Sequence, residues 1–343
     1  VKKQTIPARR VCVDLLIDSK DHIRNSFPTA GKRIHMTGSR HFTIHAISAF
    51  LALTAVLSCY NCIQAAEVLH PPGKVLFSKY STAKIEIEKC LFGIPIYLES
   101  NEDNRFLRAD VYGVFDYPFG SVRDALQAPI DWCDIVSLHL NIKACTYKKE
   151  ESLRLLTLYS GRKYYQPPSA AYKLIFRFHL AANETEYLNI VLNAEKGPFG
   201  TKDHLITLEA VPLDQERTFV HFSYAYSYGL MARMAMSSYF ATIGHDKKGF
   251  SIINYDKKGN PVCSEGIRGA MERNAVRYYL ALQTYIDTLK YPREQRFEKS
   301  INLWFDLTER YPQKLHEMDK EEYIAGKRRE HGNQLNLQKE INK

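Results

Sequence analysis

DWCDIVSLHLNIKAC, residues 131–145, reads as the end of an amphipathic helix running into the first residues of a strand. A cysteine stands at each limit, and Trp132, one of only two tryptophans, lies beside the first. If Cys133 and Cys145 are bonded, the segment staples a helix to a sheet, which requires an oxidising compartment. The helical part belongs to SVRDALQAPIDWCDIV, where Val122, Ala125, Leu126 and Ile130 share one face. Ser121 stands as N-cap, with Asp124 completing an imperfect capping box. Pro129 removes an amide donor and crowds the preceding turn, so two short helices are predicted rather than one.

Working outward, RFLRADVYGVFDY (105–117) reads as a strand stopped by Pro118, and KIEIE (84–88) and IPIYLES (94–100) alternate like short strands. After Cys145 comes a series of strands: NIKACTYK, SLRLLTLYSGRKYY with a turn at Ser160-Gly161, YKLIFRFHL, YLNIVLNAEKG, HLITLEAVPL and RTFVHFSYAYSYG. In the third of these, Tyr172, Leu174, Phe176, Phe178 and Leu180 oppose Lys173, Arg177 and His179, the period of a half-buried antiparallel strand. In the last, Val220, Phe222, Tyr224, Tyr226 and Tyr228 share one face. LMARMAMSSYFATIG (230–244) then reads as a helix closed by a glycine, and GFSIINYDKKGNPVC as a hairpin turning at Lys258-Gly259-Asn260. Ser264 is the expected cap of a long helix whose inward stripe is Ile267, Met271, Asn274, Tyr278, Leu282, Tyr285 and Leu289, ended by Pro292. FEKSINLWFDLTERY is a further helix, and beyond Lys327 the tail is polar and expected to fray. The order is that of one α+β domain, with no repeat and no linker dividing it.

The ends bear on compartment. An apolar run from Ala46 to Leu57 follows Arg40 and precedes Ala65 and Ala66, the pattern of a secretory signal cleaved after Ala65. The run is shorter than the roughly 20 residues that span a bilayer. A second route is lipidation of Cys59 in VLSC (56–59), which resembles a lipobox. Met36 opens a compact signal by itself, so the first 35 residues read either as an upstream start or as a long basic leader. Periplasmic or secreted location is the expectation, with a lipoprotein anchored at Cys59 as the alternative; no later segment is long and apolar enough to cross a membrane. Of the net charge of +9, residues 1–66 carry +6, leaving +3 over the remainder. A phosphate-binding footprint needs a clustered basic face, so nucleic acid is not expected as a partner. Past the signal four of seven cysteines remain, Cys90, Cys133, Cys145 and Cys263, which allow three pairings. Cys133–Cys145 closes the shorter loop, worth about 3 kcal/mol in the chain-entropy account, and the pairing of Cys90 and Cys263 stays open. No C-x-x-C or His-x-x-x-His spacing accompanies them, so no metal and no cofactor is expected.

The order of elements resembles the helix-grip fold of the START-like (SRPBCC) superfamily. DVYGVFDYPFGSVRDAL followed by DWCDIVSLHLNIKAC is similar to a group of uncharacterised exported bacterial proteins of that architecture. The resemblance spans about Arg108 to Leu289 and divides the chain into a leader (1–66), an N-terminal elaboration (67–104), a START-like domain (105–290) and a C-terminal helical extension with a polar tail (291–343). It implies a curved antiparallel sheet of six or seven strands, a long C-terminal helix gripping it, and an apolar cavity for a lipid-like molecule between them. A helix and a hairpin intervene before the long helix, which leaves open which helix grips.

Hydrolase, zincin, Walker and dinucleotide signatures are all missing. Asp131 and Asp134 read as a solvated helix end, and His139, His179, His204 and His221 as surface or satisfied core histidines. Asn183-Glu184-Thr185 matches a glycosylation acceptor and reads equally as a turn. Tyrosines have an apolar body and a polar tip, which suits both a sheet core and a pocket wall. Tyr224, Tyr226, Tyr278 and Asn274 are the expected ligand-lining residues. The alternatives are an enzyme on a hydrophobic substrate, for which His221 with Glu209 is the one available pair, and an envelope interaction protein whose core is filled by side chains.

Overall fold

The computed structural model describes residues 72–89, 95–242 and 247–343. The leader, Met36, Cys59, Cys90 and Gly244 lie outside the described residues, and with them the expectations of a signal, a lipid anchor and a glycine-capped helix. Helix α1 (Pro72–Glu88) is followed by β1 (Ile96–Asp103), β2 (Phe106–Phe115), α2 (Phe119–Leu126), α3 (Pro129–Ser137), β3 (Ile142–Glu150) and β4 (Leu153–Ser160). Then come β5 (Tyr172–Asn183), β6 (Leu188–Lys196), β7 (Thr201–Pro212) and β8 (Thr218–Tyr228). The remainder is α4 (Leu230–Thr242), the hairpin of β9 (Ile252–Tyr255) and β10 (Pro261–Cys263), α5 (Gly266–Thr288), α6 (Arg293–Thr308), α7 (Pro312–Leu315) and α8 (Lys320–Ile341).

The eight long strands make one antiparallel sheet in the order β1-β2-β8-β7-β6-β5-β4-β3. A meander from β3 to β8 is closed by β2 and β1, which pair back onto β8. This is a helix-grip α+β fold, with more strands than expected, and the gripping helix is α5. The inner face of the sheet, lined by Leu107, Val111, Phe176, Ile190, Leu208 and Phe222, packs with α5 into the main core. On the outer face, Tyr112, Tyr187, Val211 and Phe219 pack against Leu76, Ala83 and Ile87 of α1 in a smaller core. Gly113 of β2 lets the two layers close: a Cβ there would collide with the hydroxyl of Tyr279 on α5.

Several local expectations are corrected. KIEIE is not a strand but the last turn and a half of α1. Its five-residue alternation is overruled by Leu76, Ala83 and Ile87, whose spacing puts one buried stripe on a helix. Helix α2 starts at Phe119 after Pro118, so Ser121 is inside the helix instead of capping it. Ser264 does not cap α5 either; Glu265 holds the N-cap position, and the Ser264 hydroxyl donates to Glu272 at 2.6 Å. Pro129 does divide the helices, as the first residue of α3.

The tail beyond Lys327 does not fray. It continues α8 to Ile341 along the β3 edge of the sheet. Gln334 Oε1 accepts the Cys145 amide at 2.8 Å. Gln338 takes the Tyr147 amide at 2.8 Å and returns a bond to the Tyr147 carbonyl at 2.9 Å, as a neighbouring strand would. Two nearly fully buried lysines hold the same helix: Lys143 pairs with Glu330 at 2.7 Å, and Lys327 pairs with Glu330 at 2.8 Å. Lys327 Nζ also donates to the carbonyls of Ser137, His139 and Ile142, at the open carbonyl end of α3 and the turn into β3. Burial brings the Lys327 ammonium down to about 8, against the pull of Glu330.

Candidate functional site: the tyrosine cluster under helix α5

The staple that organises the site is present. Cys133 on α3 and Cys145 on β3 form a disulfide with their Cα atoms 5.0 Å apart. Trp132 beside it is 1% exposed, donates to the Leu126 carbonyl at 2.9 Å and meets Phe178 of β5 edge-on at 6.2 Å. It is core, closing the inner face where α3 meets the sheet. Asp134 on the same helix is exposed. Cys263 is a free thiol.

Of the expected lining residues, the three tyrosines come together. Tyr224 and Tyr226 alternate inward on β8 with ring centroids 5.7 Å apart, and Tyr278 on α5 meets Tyr224 edge-on at 6.1 Å. Among the described residues neither the Tyr226 nor the Tyr278 hydroxyl has a hydrogen-bond partner. Asn274 lies one turn before Tyr278, where its side-chain oxygen accepts a long bond of 3.4 Å from Arg277.

Two histidines that read from the sequence as surface or satisfied core residues complete the group. His204 on β7 receives Tyr224 at 3.0 Å on Nδ1 and meets Thr201 Oγ1 at 2.9 Å through Nε2. Thr201 gives its own proton to the Pro198 carbonyl at 2.7 Å, so its oxygen accepts from His204. That assigns the tautomer: Nε2 carries the hydrogen, Nδ1 accepts, and Tyr224 is the donor. Burial lowers His204 to about 4, which keeps the ring neutral. His139, 2% exposed, stacks on Tyr278 at 4.5 Å and accepts the Asn141 amide on Nδ1. Burial first, then Arg277, Lys327 and Lys143, hold it well below its ordinary value, outweighing a favourable interaction with Asn274. The arrangement therefore offers neutral donors and aromatic faces, without a charged group at its centre. His204 was legible in one respect. It shares parity with Ile206, Leu208 and Ala210 and so points to the apolar face.

His221 and Glu209, the one pair available to the enzyme alternative, do meet, with Nδ1 and Oε2 2.8 Å apart. They do so on the outer face, away from the tyrosine cluster. Nε2 is bound by Asp110 at 2.8 Å, Tyr112 stacks on the ring at 4.4 Å, Arg108 grips Asp110 through two nitrogens, and the Tyr187 hydroxyl donates to Glu209. A ring donating from both nitrogens to two carboxylates is an imidazolium with no lone pair to act as base. His221 is raised despite burial, by its bonds to Asp110 and then Glu209. Against burial, those to His221 and Arg108 lower Asp110 to about 2, and those to His221 and Tyr187 lower Glu209. This is a buried charge network holding β2, β7 and β8 together, on the side of the sheet opposite the tyrosine cluster.

Two clefts bounded by described residues hold about 10 Å³ each, room for roughly one water. One lies between α8 and Tyr164–Tyr165, the other beside Trp304 and Leu140. Neither lies among the tyrosines. Among the described residues no group of acidic, histidine or cysteine side chains is placed to hold a metal, and no helix is long and apolar enough to cross a membrane.

No family model matches the chain, and no curated protein does. Similar solved structures include human StAR-related lipid transfer protein 5, at 10% identity and TM-score 0.31 over 62% of this chain and all of that one. The Zhui aromatase/cyclase from a Streptomyces species is 12% identical with TM-score 0.32, over 53% of this chain and 91% of that one. Norcoclaurine synthase from Thalictrum flavum is 9% identical with TM-score 0.29, over 43% and 88%. These likenesses are distant in sequence and superposition, and the functional reading rests on this chain's own residues.

Proposed function

We propose that this chain is an exported START-like protein that binds or carries a hydrophobic, lipid-like molecule between the inner face of the sheet and α5. The supporting observation is the convergence of Tyr224, Tyr226 and Tyr278 from a strand and a helix, with two phenol hydroxyls uncommitted to protein partners. Aromatic walls with a few placed donors are what a ligand of apolar body and polar end requires. Tyr226, Tyr278 and Asn274 would meet the polar end, while Tyr224 is committed to His204. Titrating delipidated protein with a fluorescent fatty-acid and a fluorescent sterol analogue tests this. Saturable uptake weakened at least tenfold in Tyr278→Ala, with the far-ultraviolet spectrum unchanged, supports it. No uptake of either probe counts against it.

A second reading is favoured by the small clefts: a protein of the cell envelope whose groove is filled by its own side chains and which acts through its surface. Organic extracts of protein isolated from the periplasm that contain no co-purifying molecule by mass spectrometry, together with failed probe uptake, select this reading.

A further inference from the structure

We infer that the turn joining α3 to β3 is an acid-sensitive latch for α8: protonation of His139 at its centre releases the helix and bares the β3 edge. Residues 137–143 are the receptor on which α8 seats. The Tyr323 hydroxyl donates to the Leu138 carbonyl at 2.9 Å, and Lys327 Nζ reaches the carbonyls of Ser137, His139 and Ile142 at 2.7–3.0 Å. Lys143, at the start of β3, meets Glu330 of α8 at 2.7 Å and holds the Leu140 carbonyl at 2.8 Å. Asn141 ties the other side of the turn to the end of β4. Its side chain donates to the Gly161 carbonyl at 2.8 Å, and its own carbonyl accepts the Gly161 amide at 2.7 Å. A rearrangement of this turn therefore reaches every anchor of the first half of α8.

His139 has one place open to a second proton. Nδ1 accepts the Asn141 amide at 3.1 Å, so the neutral ring carries its hydrogen on Nε2. A second proton must go to Nδ1, where it sets donor against donor and breaks the bond that closes the turn. The new charge also arrives among cations. Arg277 of α5, Lys327 of α8 and Lys143 of β3 all oppose it, and the carboxylates of this region are already shared. Glu330 serves Lys143 and Lys327, and Glu317 serves Arg277, Lys163 and Lys247. Asn274 and Tyr278, the other groups of α5 against the ring, are neutral. A ring that regains its ordinary value of about 6.5 on release draws α8 toward the released state by up to about tenfold for each pH unit below that value. His331 on α8, stacked on Phe297 of α6 at 3.9 Å and lowered by burial, adds a second proton of the same sign.

The test is hydrogen exchange of the full chain from about pH 7.5 down to about pH 5, above the ordinary carboxylate range, with intrinsic rates divided out. Protection of α8 should fall with pH while that of α5 holds. The amides of Cys145 and Tyr147, which lose Gln334 and Gln338, should open in step with α8. His139→Gln offers the Asn141 amide a neutral acceptor that takes no proton, and should flatten the pH slope of α8 protection by about one proton, tenfold per pH unit. His331→Gln should keep the proton that His139 contributes. An unchanged slope in His139→Gln, α8 protection that does not fall, or α5 opening together with α8 overturns the inference. If His139→Gln does not fold, nitrogen-15 imidazole shifts of the wild-type ring decide. Protonation of both nitrogens as α8 opens supports the latch; a ring still neutral after α8 has opened, or a hydrogen on Nδ1 at neutral pH, overturns it.

Discussion

At the scale of single residues, protons are what the fold has arranged most carefully. His221 is charged between Asp110 and Glu209, whereas His204 and His139 are neutral, although all three rings are buried. The difference is partners: two carboxylates for the first, a phenol and a hydroxyl for the second, an amide for the third. These partners fix the sign of each pH dependence. Asp110 and Glu209 are lowered, so they add stability above the unfolded carboxylate range of about 4 and lose it as pH falls through their folded values. His221 is raised, so its contribution is full below about 6.5 and lost as pH rises through its folded value. The network is strongest between those limits. Thermal melts of wild type and His221→Gln should differ most near about pH 5.5 and converge in alkali; a gap that widens steadily with pH is inconsistent with an imidazolium. Leaving buried carboxylates without their partner costs about 3–5 kcal/mol. For His204, nitrogen-15 imidazole shifts should show Nε2 protonated and Nδ1 accepting. Tyr224→Phe should cost about 1 kcal/mol in urea unfolding, and a protonated Nδ1 would refute the assigned donor order.

At the scale of elements, the disulfide and the glutamine-capped edge act on the same strand. Cys145→Ser should remove about 3 kcal/mol under oxidising conditions and little under reducing ones; equal melting in both means that the bond is absent. Gln334→Leu strands the Cys145 amide in a buried site and should cost about 1–3 kcal/mol, read from denaturant midpoints at unchanged slope. Elements whose own residues repeat with a clear period were legible in the sequence. Leu174, Phe176 and Phe178 placed β5, Pro129 divided α2 from α3, and Ile301, Trp304, Phe305 and Leu307 placed α6. Helix α8 was not legible, because its buried face is made of Tyr323, Lys327, Glu330 and Gln334, a mostly polar stripe that only its receptors explain. Those receptors, the α3 carbonyls and the β3 edge, lie some 190 residues earlier, as Lys327 to Ser137 and Gln338 to Tyr147 show. Parity placed Tyr224 and Tyr226 on one face of β8, but the surroundings of His204 and His139 depend on neighbours in other elements. The alternation that put His221 opposite Glu209 could not by itself say that their shared side of the sheet is covered by α1 rather than α5.

At the scale of the whole molecule, two surfaces of one sheet do different work: the inner face grips α5 with aromatic side chains, and the outer face carries α1 over a charged network. Removing α8 from Lys320 onward should bare the β3 edge, and size-exclusion chromatography should then show oligomers that the intact chain lacks. A monodisperse truncated monomer would show that the glutamines are not what guards that edge. The sheet order sets a timetable as well. β3 to β7 can zip up as successive hairpins while the chain is still emerging, but the β1–β2 hairpin can join them only once β8 is made. Gln334 and Gln338 arrive after every other described element. During synthesis both cysteines of the staple are therefore available early, while the strand that carries Cys145 still has an open flank. This half-built state, more than the finished fold, is where a holding chaperone would have something to grasp.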